Sequence, residues 1–230
     1  MPIIPTGSGM GLYFAVMILT IIIGGGAQLY VSVQLKRYSR VSCSWGVTGA
    51  AIARRMATDN NISHIGINHG GPNQDFYDPR TRSVTLGTES YGHTTITAVA
   101  TAVHEVGHAC QHAQGYAFMR FRSALVPVVN LASNAWIVIF VIGLFTGLTG
   151  LVQLGIILFA AVLLFQLVTL PVEFDASRRG LAYLKACGMD KTELSGASKV
   201  LRACAFTYVA AALTALIQLL YLLLSARSEE

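Results

Sequence analysis

Between Pro127 and Leu170 the sequence VVNLASNAWIVIFVIGLFTGLTGLVQLGIILFAAVLLFQLVT carries no charged side chain and no histidine. A helix crosses a bilayer core of about 30 Å with about 20 residues. The stretch is therefore too long for one crossing and too apolar for a water-facing surface. Gly143, Gly147 and Gly150, with Thr146 and Thr149, break it near its middle. This predicts two spans, about 127–148 and 150–170, joined by a tight turn. Two further apolar runs, 11–35 and 203–225, are long enough to cross. Charged residues make up 12% of the chain, about half the share usual in soluble domains. The reading is a mainly α-helical integral membrane protein with four transmembrane helices.

Charge sets the expected orientation. Residues 1–35 carry no charge, and Lys36, Arg37 and Arg40 come after the first apolar run instead of preceding it. A cleaved signal peptide has the opposite order, so the first run reads as a retained span. Of the sixteen Lys and Arg, nine lie in 36–126 and six in 171–202. Two spans separate these segments, so they share a side. The positive-inside rule places that side in the cytoplasm and both termini outside. The net charge of +5 reports orientation, because no basic stripe with interleaved aromatics suggests a nucleic-acid partner. Cys43, Cys110, Cys187 and Cys204 form no CxxC pair and read as four reduced thiols.

The polar segments are mixed α and β. Val47 to Thr58 reads as an amphipathic helix. Ile62 to Asn68 and Asp75 to Gly87 read as strands, the second folded into a hairpin by DPRT, Asp78 to Thr81. Thr94 to Gln114 reads as a helix that ends at Gly115. Glu173 to Arg202 is helical in pattern with a break near Gly188.

The predicted helix 94–114 carries AVHEVGHACQH, Ala102 to His112. His104 and His108 are four apart, so both imidazoles lie on one face one turn apart. Glu105 stands beside the first of them. This is the H-E-x-x-H pattern of zinc peptidases. There the two histidines hold the metal and the glutamate holds water and takes its proton. The bland alternative is a pair of histidines packed in a membrane-edge core. His112 extends the series to i+8, but a rise of about 12 Å bars it from the same ion. The longer HExxHxxGxxH form is absent, since Gln111 and Gln114 occupy its last two marked positions.

A catalytic zinc has three protein ligands and one open position. Candidates for the third are His64, His69, His93, Glu89, Glu173 and Asp175. Glu173 is the best placed. It is the first charge after a long apolar span, where a carboxylate needs a partner. Pro171 is expected to kink or end the span and re-aim the chain beyond it. The rival reading of Glu173 is a helix N-terminal acid. Asp175 is a candidate partner for a histidine. Arg178 and Arg179 are flank charges that leave an oxyanion role open, and Asn130 and Asn134 share a face.

Several motifs in order carry a resemblance: YDPR (77–80), AVHEVGHACQHAQGYAFMRFRSALVPV (102–128), FQLVTLPVEFDASRRG (165–180) and AFTYVAAALTALIQLL (205–220). They resemble the bacterial YugP-like family of neutral zinc metallopeptidases, over nearly the whole chain from about Arg37. The resemblance implies a membrane protease that holds one zinc ion on His104, His108 and Glu173, with Glu105 as base. The arrangement is also similar to membrane gluzincins of the HtpX and CAAX-protease kind, whose third ligand is a Glu in an E-x-x-x-D pattern. Ser177 stands where that Asp would be, which puts Asp175 forward as its substitute.

Together these readings give one membrane-embedded unit, residues 1–230, with a small cytoplasmic α+β, gluzincin-like region formed by 36–126 and 171–202. The expected activity is zinc-dependent hydrolysis of peptide bonds in membrane or membrane-proximal proteins, on the cytoplasmic side of the bacterial plasma membrane. The hairpin before the zinc helix is expected to take substrate as an added strand. The competing expectation is a non-catalytic zinc-binding membrane protein with a structural or sensing role.

Overall fold

The computed structural model describes residues 7–227; the residues beyond Arg227 lie outside them. The chain is mainly helical. In order it forms α1 (Gly7–Tyr38), α2 (Gly49–Asp59), β1 (Gly66–His69), β2 (Phe76–Asp78), β3 (Ser83–Leu86), α3 (Thr88–Gly92), α4 (Ile96–Ala113), α5 (Ala117–Thr146), α6 (Thr149–Ala186) and α7 (Lys191–Arg227). Four of these, α1, α5, α6 and α7, are long and apolar enough to cross a membrane.

The long helices depart from expectation in one respect. The polar segments expected as separate cytoplasmic helices continue the apolar ones. Helix α6 runs unbroken for 38 residues through Pro171, and α7 runs for 37 residues from Lys191. Pro171 does not end its helix. A proline removes one hydrogen bond and crowds the preceding turn, and in a helix this long that local loss does not break the rod. The break near Gly188 is present, with Gly188 at φ +83° between α6 and α7. Helix α5 starts at Ala117, well before Pro127, so Pro127 also lies inside a helix.

The chain divides into two compact units. Among the described residues, the first holds 7–28, Phe121–Thr169 and 207–227. In it, α5 and α6 form the expected hairpin, turned by Gly147 at φ +69°. Gly143 and Gly155 let the two helices touch. A Cβ on Gly143 would stand 2.7 Å from the Val152 nitrogen, and one on Gly155 2.7 Å from the Phe140 Cβ. Phe159, Leu163 and Ala215 form a small core with Trp136, Leu219 and Leu222.

The second unit, Leu29–Arg120 with Leu170–Phe206, holds the larger core. Its centre is α4. Thr95 caps α4, its hydroxyl accepting from the Ala98 amide at 3.3 Å, and satisfies one of the orphan donors of a helix start. Alanine, valine and glycine dominate α4, so neighbours approach it closely. Ala98, Val99, Ala100, Ala102, Val103 and Val106 are all within 2% of full burial. The sheet has the order β1-β3-β2. β2 and β3 form the expected hairpin, with Tyr77 opposite Val84. β1 starts at Gly66, later than expected, and pairs parallel with β3. The short α3 between β3 and α4 is an addition to the elements expected from sequence. Val84 and Leu86 are fully buried and join the sheet to the core around α4.

Candidate metal centre

Two close approaches set the site. A Cβ on Gly107 would lie 2.6 Å from the Ala176 carbonyl oxygen, and one on Gly180 would lie 2.9 Å from Val103 Cγ2. Helix α4 gives up a side chain at 107 and α6 gives one up at 180. The two helices therefore touch backbone to backbone over the turns that carry the polar residues.

That contact brings Glu173 onto the two histidines. Its Oε2 lies 3.2 Å from His104 Nε2 and 3.5 Å from His108 Nε2. The two rings meet edge-on, with centroids 4.7 Å apart. His104, His108 and Glu173 each offer one ligand atom, all within 4.8 Å of one another. Glu173 is 3% exposed. A carboxylate buried this deeply is costly unless it is paired or coordinates a metal. Two imidazole nitrogens and a carboxylate oxygen match the donors that zinc takes in catalytic sites. The site fits the ion.

The far side of each ring is held as well. His104 Nδ1 lies 3.1 Å from Ser177 Oγ. His108 Nδ1 lies 3.0 Å from Gln111 Oε1. The Gln111 amide nitrogen donates to the Val172 carbonyl at 2.8 Å and to Asp175 Oδ2 at 2.9 Å. Asp175 is paired in turn with both Arg178 and Arg179. Arg179 also donates to Gln114 Oε1. Thus Ser177 meets a histidine from the position where the related pattern has an Asp. Asp175 reaches the site only through Gln111, and the two arginines are engaged with Asp175.

Glu105 is 7% exposed. Burial pushes its carboxyl above the ordinary carboxylate range, against the pull of His104 and His108. For His108, burial works to lower the pKa. Donation to Glu173 and the nearby Glu105 charge outweigh it, and the imidazole ends above its ordinary value.

The other third-ligand candidates lie elsewhere. His69 stacks on Tyr91 with centroids 5.0 Å apart. His93 caps α3, and Glu89 sits in its first turn. His64 lines a separate cavity of about 270 Å³ with Tyr77, Arg82 and His112. His112 Nδ1 lies 2.7 Å from the Tyr77 hydroxyl. Asn134 donates its amide to the Asn130 carbonyl one turn back. Sequence reasoning missed Gln111. Only its spacing of three from His108 hinted at it, since residues three apart share a helix face.

Residues 13–227 match the protein family described as "Putative neutral zinc metallopeptidase". The chain belongs to this family. It is also 43% identical over 196 residues, 84% of this chain and 87% of the other, to the "Putative membrane protease YugP" of Bacillus subtilis (strain 168). No solved structure matches it significantly.

Proposed function

We propose that the chain is a zinc-dependent membrane endopeptidase that hydrolyses peptide bonds of membrane or membrane-proximal proteins on the cytoplasmic side. One observation carries this reading: two histidine Nε2 atoms of one helix turn converge on a buried carboxylate of another helix, with Glu105 next to the first histidine. His104, His108 and Glu173 would hold the zinc ion. When bound, zinc supplies Lewis-acid polarisation of the scissile carbonyl and lowers the pKa of its water towards about 7. Glu105 takes the proton of the attacking water and delivers it to the leaving amine. Burial of Glu105 suits this role, because it raises the carboxyl's pKa above the ordinary carboxylate value and makes the group a better proton acceptor.

A purely structural zinc site usually closes its shell with four protein ligands. Among the described residues the cluster supplies three, which favours the catalytic reading over a structural or sensing role. The test is zinc content and peptide hydrolysis of detergent-purified protein. Wild type is expected to hold about one zinc by the stoichiometry of such sites. Glu173→Ala is expected to lose both zinc and activity, and Glu105→Gln to keep zinc and lose activity. Wild type without zinc after gentle purification would refute the proposal.

A further inference from the structure

His104 and His108 receive different support on their Nδ1 atoms, and the difference has a direction. A serine hydroxyl both donates and accepts, so Ser177 is compatible with His104 in either tautomer. Gln111 is not so free. Its amide faces the Val172 carbonyl at 2.8 Å and Asp175 Oδ2 at 2.9 Å. A carbonyl and a carboxylate only accept. The NH₂ end must therefore face them, and the amide oxygen must face His108. His108 Nδ1, 3.0 Å away, is then the atom that carries hydrogen. The Val172 carbonyl has no hydrogen to give, so the direction does not reverse. Gln111 is 0% exposed, out of reach of bulk solvent.

We infer that Gln111 is a positioning residue for the metal centre: it carries the acceptor character of Asp175 and the Val172 carbonyl to His108, fixes hydrogen on Nδ1, and so presents Nε2 as the metal-facing atom. This rests on the zinc site proposed above. The chain uses an amide relay where a carboxylate against the ring would do the same orienting work. The relay keeps the charge of Asp175 one residue away from an already crowded set of carboxylates, Glu105 and Glu173. It also makes the two histidines unequal. His108 is pre-oriented before metal arrives, and His104 adjusts through a hydroxyl that can turn.

The experiment is a competitive chelator titration of zinc on full-length, detergent-purified wild type, Gln111→Met and Gln111→Glu, with the unfolding midpoint of each zinc-free protein. Methionine removes the acceptor at similar length. Zinc affinity is expected to fall about 10- to 100-fold, the usual cost of losing such a partner, and the zinc-free midpoint to fall as well, because the Val172 carbonyl and Asp175 lose a buried donor. Glutamate keeps an acceptor towards His108 but sets a second carboxylate against Asp175 and the Val172 carbonyl, so it is expected to recover part of the affinity at a lower zinc-free midpoint. A wild-type measurement guards against a variant that does not fold. In zinc-loaded protein with ¹⁵N-labelled histidine, NMR is expected to show a slowly exchanging Nδ1–H on His108, identified by its disappearance in His108→Gln. Unchanged zinc affinity in Gln111→Met, or hydrogen on Nε2 of His108, overturns the relay and leaves the peptidase proposal standing. No zinc binding by wild type overturns both.

Discussion

At the scale of single residues, the site separates holding from reacting. Glu173 faces both histidines, and Glu105 stands apart from that contact. Glu105→Gln should therefore lower kcat by about 10²- to 10⁴-fold, the usual share of a general base, while bound zinc stays near the wild-type amount. Peptide cleavage and metal analysis on one preparation check both halves. Protons provide a second test. In the metal-free protein His108 sits above its ordinary value of 6.5 despite burial, chiefly because it donates to Glu173. Zinc must displace that proton. A raised pKa keeps the proton in place to higher pH, so zinc affinity should already be falling as the pH drops towards 6.5. Chelator titrations from about pH 5.5 to about pH 8.5 read this directly, because metal binding releases the ligand protons. A flat profile above the ordinary histidine value would contradict it.

At the scale of elements, the contact between α4 and α6 decides whether the ligands meet. Gly107→Ala drives a Cβ into the Ala176 carbonyl at 2.6 Å. Backbone cannot swing aside as a side chain can. The expected cost is about 1–3 kcal/mol, seen as a lower unfolding midpoint together with weaker zinc binding. Gly92→Ala, where a Cβ meets nothing within 4 Å, is the control that should change neither. Parts of this arrangement are open to reading in the letters alone. The His104–His108 spacing has a helical period. Glu173 is a charge at the end of an apolar run, and Gly147 marks a turn. Gln111 shows only its spacing of three from His108 and Ser177 only its place in the E-x-x-x-D pattern, because a glutamine or serine has its role only once α6 lies against α4. The continuity of α6 through Pro171 is hidden for the opposite reason. Proline is a strong local breaker, and a helix of 38 residues overrides it. The parallel pairing of β1 with β3 depends on the path between them, and the period of either strand does not reveal it.

At the scale of the whole molecule, four helices can cross a bilayer, and the proposed orientation has a direct test. Single cysteines at Leu148, exposed beside the α5–α6 turn, and at Lys191, at the start of α7, lie at opposite ends of α6. A membrane-impermeant maleimide on intact cells should label Leu148→Cys and leave Lys191→Cys until permeabilisation, in a background with Cys43, Cys110, Cys187 and Cys204 replaced by serine. The reverse pattern would move the proposed chemistry to the outer face. The backbone collision at 107 also has a consequence for how much information the motif holds. H-E-x-x-H fixes three letters for chemical reasons and leaves two open. Here the second open letter is Gly107, and the Ala176 carbonyl penalises any side chain placed there. The first, Val106, is a core position that any apolar side chain of similar size can fill. In this chain the motif therefore reads H-E-x-G-H, and its fourth letter is set by the shape of a neighbouring helix.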